Sequence, residues 1–144
     1  MRQFAAGAVL GLGLTFAHAL AAAEDAPAEL ACQFKDGASW SYVAGAFQSK
    51  TPSPLAFEIE NIDLEGQTAV LKTGAGAGTV RIVRAINANH FLEVVNEGFL
   101  NLTTVYDKDP ATGVHPAVHS RHFGLIGQPV FAQYTGTCRE KRSE

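Results

Sequence analysis

From Leu30 onward the chain alternates apolar and polar positions in short runs, and Gly, Pro, Asn or Asp interrupts the pattern about every ten residues. A strand with one buried face places apolar side chains at every second position. Phe57 and Ile59 point one way while Glu58 and Glu60 point the other, and the phase then shifts to Ile62 and Leu64, which predicts a bulge near Asn61. Val130, Ala132, Tyr134 and Cys138 share a face near the C-terminus, and Leu100, Leu102 and Tyr106 share one earlier. The pattern predicts strands over 30–35, 39–43, 47–49, 56–63, 68–73, 79–86, 90–96, 99–107 and 129–138. Turns are predicted at Asp36-Gly37, Ala44-Gly45, Glu65-Gly66, 74–78, 87–89, Glu97-Gly98 and 109–113. No stretch after Leu30 sustains an apolar period of 3.6, so helix content is expected to be low.

About eight antiparallel strands in roughly 115 residues suit one all-β domain, because closure of a small sheet removes its exposed edges. The expected form is a small antiparallel meander barrel, lipocalin-like in architecture, with a sandwich as the alternative. That likeness concerns the fold pattern and brings no function with it. Cys32 and Cys138 are the two cysteines of the chain, and an even count in an exported protein predicts a disulfide joining the first strand to the last.

Export is expected from the N-terminus. Met1-Arg2-Gln3 precedes an uncharged stretch of Ala, Gly, Leu, Val and Phe, followed by small residues with Ala-x-Ala cleavage patterns. The expected cut follows Ala23, with Ala21 or Ala19 as alternatives, so that 1–23 is a signal, 24–29 a flexible lead-in, 30–138 the β domain and 139–144 a polar tail. The apolar stretch is shorter than the roughly 20 residues of a spanning helix, so no stable membrane anchor is expected after cleavage. Periplasmic or secreted localisation follows. Without Arg2 the formal net charge falls from −3 to −4, and a mildly acidic chain disfavours nucleic acid, which calls for clustered basic surface.

The segment 115–124 carries the clearest candidate chemistry. His115, His119 and His122 would share one face of a helix and could there bind zinc or copper through imidazole nitrogen, with His90 as a further candidate ligand. On a strand, His115 and His119 share a face about 13 Å apart while His122 faces the other way, and the segment reads as a loop and edge strand. Arg81 and Arg84 lie in an otherwise apolar strand, where one could meet Glu93 or the carboxylate of a ligand, or pair across strands with Glu58 or Glu60. Trp40 and Tyr42 fall on one face, as core residues or as a stacking platform.

Other motifs fall short of their required context. The Gly-rich stretch 74–78 runs into a strand, so it reads as a hairpin connection and not a phosphate cradle. No Gly-x-Ser-x-Gly turn occurs. Asn101-Leu102-Thr103 matches a glycosylation acceptor but lies inside a predicted strand.

The expectation is therefore a non-enzymatic binding or interaction protein, holding a small molecule or a partner protein and needing no cofactor. A zinc or copper protein or enzyme built on the three histidines is the first alternative. An inhibitor of an extracellular hydrolase, acting through a rigid loop over 107–115, is the second.

Overall fold

Two-faced strands bury their apolar side only by curling round on themselves or meeting another layer, and here the sheet curls. A computed structural model describes residues 27–95, 98–124 and 127–141. The predicted signal and its cleavage site, Glu24 to Ala26 of the lead-in and the tail from Arg142 lie outside the described residues. The strands are β1 (Leu30–Val43), β2 (Ala46–Lys50), β3 (Leu55–Asp63), β4 (Thr68–Thr73), β5 (Gly76–Arg84), β6 (Ala88–Val95), β7 (Phe99–Tyr106), β8 (His115–Phe123) and β9 (Val130–Glu140). Each pairs antiparallel with its neighbours in the order β2-β1-β3-β4-β5-β6-β7-β8-β9, and β1 also pairs with β9. The result is a closed antiparallel barrel of eight strands with β2 as one extra strand. It is the barrel of the two expected forms.

The closure depends on β1, whose first half pairs with β3 and second half with β2, while β9 runs along both. The turn predicted at Asp36-Gly37 does not form. Instead the register with β9 shifts between Phe34 and Asp36, so one bent strand replaces the two expected. Gly37 is needed there for close approach, because a Cβ would stand 2.5 Å from the Gln133 carbonyl oxygen. Gly136, opposite Phe34, is tighter still: a Cβ there would overlap the Gln33 carbonyl oxygen and Phe34 Cα.

Cys32 and Cys138 are direct partners across this β1/β9 seam and are joined by a disulfide, as the sequence predicts. Their separation of 106 residues makes the bridge worth about 4 to 5 kcal/mol in the chain-entropy account. A disulfide is compatible with an exported protein.

The phase shift expected at Asn61 is also present. Asn61 has φ of 52°, and the β3/β4 register shifts between Glu60 and Asp63. The Asp63 carboxylate then accepts the backbone N–H groups of Glu65 and Gly66, which closes the turn.

Segment 115–124, expected to be a loop and edge strand, is instead β8, a full member of the barrel between β7 and β9. The pattern was obscured because three of its inward positions, His115, His119 and Arg121, are polar.

The core fills the end of the barrel where Leu30 pairs with Glu140. Phe34 is fully buried and stacks on Phe57 at 5.3 Å between ring centroids. Ile59, Val80, Ile82 and Phe91 pack around them, each contributing roughly 1.5 to 3 kcal/mol of burial. The last residues of β4, β6 and β8 and the first of β5, β7 and β9 lie at the opposite end, the mouth.

Candidate functional site

Paired residues in an antiparallel sheet point to the same side, so the ladder registers identify every inward position. At the mouth, Glu93 of β6 faces Asn101 of β7, which faces Arg121 of β8. These three polar side chains form one rung on the inner wall. One step deeper, Thr103 faces His119, which faces Tyr134.

The rung opens on a cavity of about 350 Å³. Thr73, Glu93, Asn101, His119 and Arg121 supply its polar lining, and Leu55, Phe57, Leu71 and Phe99 its apolar lining. A hollow of about 400 Å³ on the outside of β1, β3 and β4 is lined by residues such as Ala31, Ala56 and Lys72. Lys72 there is occupied by Glu58 and Glu60 at 3.8 and 3.0 Å, whereas the inner cavity gathers Glu93, Asn101 and Arg121 around one space, Arg121 also bordering a neighbouring hollow of about 370 Å³ with Lys50 and Tyr134.

Gly78 lies beside Glu93 on the inner wall, where a Cβ would stand 3.5 Å from Glu93 Oε1, an ordinary contact distance. Asn101 Nδ2 donates to Glu93 Oε2 at 2.6 Å. A carboxylate accepts and does not donate, so the amide nitrogen must face it and the orientation of Asn101 is fixed. Its other atom, Oδ1, is buried and has no hydrogen-bond partner among the described residues. A buried acceptor left unpaired costs about 1 to 3 kcal/mol. On the far side, the Arg121 guanidinium lies 5.3 Å from the Phe123 ring centroid, and no carboxylate among the described residues lies within ion-pair distance of it.

His119 forms the floor. Its Nδ1 is 2.9 Å from Thr103 Oγ1, and its ring packs against Phe34, Phe57 and Tyr134. Burial, with a smaller contribution from the Arg121 charge, pushes its pKa down to about 4, so the ring is neutral at pH 7.

The other expected site residues are dispersed. His115 also points inward but at the closed end, where Nδ1 donates to the Tyr106 carbonyl at 2.8 Å and Nε2 stands 3.4 Å from Glu140. His122 is on the outer face and stacks on Phe131 with 15° between ring planes. His90 Nδ1 is held at 2.9 Å from Thr104 Oγ1. The three histidines of β8 thus do not converge, and among the described residues no group of three or more His, Cys, Asp or Glu is placed to hold a metal ion. Arg81 and Arg84 are both exposed, and it is Arg121 that shares the cavity with Glu93. Trp40 belongs to neither core nor cavity: it stacks on Phe131 at 4.8 Å on the outer wall, with Tyr42 and Phe47 beside it.

Sequence alone does not single out Asn101, Thr103 and Arg121, because the alternation of β7 puts the larger apolar residues Leu100, Leu102 and Tyr106 on the opposite face. Leu100 and Tyr106 are in fact 41% and 39% exposed, and the polar residues face in. Compared with known families, curated proteins and solved structures, the chain matches none of them.

Proposed function

We propose that this chain is an exported binding protein that holds a small molecule in the mouth of its barrel. The observation that carries this reading is the cavity itself, where Glu93, Asn101 and Arg121 of one rung meet the apolar Leu55, Phe57 and Leu71, and where the Asn101 amide, locked by Glu93, keeps an unpaired acceptor in the wall. Such a group is unfavourable without a donor and becomes favourable when one arrives. The cavity also has the make-up of a ligand site, apolar walls with a few converging polar groups. Export is supported by the signal-like first 23 residues and by the disulfide.

The test is a fragment screen read by methyl and aromatic NMR spectra of the purified β domain. Binders are expected to shift Leu55, Leu71 and Phe99 and to leave the core around Ile82 unmoved. Shifts confined to the outer wall around Trp40 and Phe47 would overturn the reading.

A second reading has an observation of its own. The loop 107–114 is stiffened by Asp109, whose carboxylate accepts from Ala111 N and Thr112 Oγ1 while its backbone bonds Val114 and Gly113. These bonds, the Thr112 hydroxyl first, hold the Asp109 carboxyl below the usual range. A rigid exposed loop is the device by which a small domain blocks a hydrolase cleft, and inhibition assays against extracellular proteases and glycosidases, with Asp109→Ala as control, test it.

A further inference from the structure

The charges in the mouth specify its ligand further, if the mouth is the binding site. Glu93 and Arg121 are separated by one rung position, with Asn101 between them. Their backbones are therefore two strand spacings apart, about 10 Å. The two charges line the same cavity yet do not pair with each other.

An anion alone would satisfy Arg121 but meet the Glu93 carboxylate and the lone pairs of Asn101 Oδ1. A cation alone would satisfy those acceptors and be repelled by Arg121. A neutral ligand would leave a guanidinium without a counter-charge in a partly dry space, which is costly. His119, neutral at pH 7, does not alter this balance. One chemical class meets both charges: a compact zwitterion whose carboxylate takes the Arg121 fork while its ammonium donates to Glu93, on the side where the Asn101 acceptor adds negative potential.

The rest of the cavity narrows the class. Leu55, Phe57 and Leu71 form an apolar wall beside the charged rung. A volume near 350 Å³ stands at the lower end of ligand sites, which run from about 300 to 1,000 Å³, and suits one amino acid better than a peptide. We infer that the mouth between Glu93 and Arg121 binds a free α-amino acid with an apolar side chain.

The experiment titrates the domain with four probes that share a branched aliphatic chain: L-leucine, 4-methylpentanoate, 3-methylbutylamine and 3-methyl-1-butanol. Affinity is read from NMR shifts of Leu55, Leu71 and His119. L-Leucine is expected to bind roughly tenfold or more tighter than the other three, since each lost charge-assisted bond costs about that much. Arg121→Gln should reduce the preference for L-leucine over 3-methylbutylamine, and Glu93→Gln the preference over 4-methylpentanoate. If a singly charged or neutral probe binds as tightly as L-leucine, the zwitterion is overturned while the mouth remains a binding site. If none of the four moves a cavity resonance, the amino-acid inference is overturned, and the fragment screen decides separately whether the mouth binds any small molecule.

Discussion

Thr103 Oγ1 and His119 Nδ1 meet at 2.9 Å across neighbouring strands, with only 1% and 3% of the two residues left exposed. The bond holds a neutral imidazole in the floor of the cavity, and protonation there must overcome burial and the nearby Arg121 charge. His119 therefore has a folded pKa of about 4 against 6.5 when unfolded. Between these values the unfolded chain binds the extra proton, so stability is complete above pH 6.5 and falls as the pH drops toward 4. The loss over this window is on the order of 3 kcal/mol. Urea denaturation at pH 7 and pH 4.5 should show a clear drop for the wild type and a much smaller one for a His119→Leu/Thr103→Val pair.

Asn101 and Glu93 set stability against binding. Replacing both with apolar residues, Glu93→Leu/Asn101→Leu, removes an orphaned acceptor and a half-buried carboxylate. The ligand-free double variant is expected to be more stable by about 1 kcal/mol, and to lose affinity for any ligand of the mouth. Thermal unfolding without ligand decides the first point. A decrease in melting temperature would show that the polar rung supports the fold.

Gly136 has no tolerance for a side chain. Gly136→Ala forces a methyl group onto the backbone of Gln33 and Phe34, and should cost about 1 to 3 kcal/mol, or more if the seam must open. Gly74→Ala, where nothing lies within 4 Å of the added carbon, is the matched control and should change little. Chemical denaturation of the two variants side by side makes the comparison.

The bridge between Cys32 and Cys138 closes the seam covalently. A Cys32→Ala/Cys138→Ala variant should lose about 4 kcal/mol, and reduced wild type should behave the same way. The barrel ladder of β1 with β9 survives in both, so near-native circular dichroism at low temperature is expected alongside the lowered midpoint.

The histidines of β8 should act one at a time. His115 and His119 share a face about 13 Å apart, and His122 is on the other side of the wall. Zinc titrated into single alanine variants at the three positions should show no shared site, that is, no loss common to all three. A common loss of stoichiometric zinc would mean that β8 rearranges on binding the metal.

Much of this fold was legible because alternation is a local signal and most of the barrel obeys it. Phe57 and Ile59 against Glu58 and Glu60 gave the orientation of β3, and the phase change after Asn61 gave its bulge. Asp36-Gly37 misled because a glycine can serve a turn or a close backbone contact, and only the partner strand decides which. The site was harder to read for a related reason. Arg121 stands between polar neighbours and Asn101 between two leucines that invite burial, and their common orientation toward Glu93 arises from register across three strands, a long-range quantity that no window of sequence contains.

Leu30 pairs with Glu140, so the β domain is entered and left at its plugged end. Fixed to a solid support through either of those ends, the molecule would stand with its opening turned to the solution and its packed core next to the support. Orientation would be the same for both attachment points. A dye placed at the rim, for instance on an exposed Ala75 of the β4–β5 turn, would then report occupancy from the side farthest from the support.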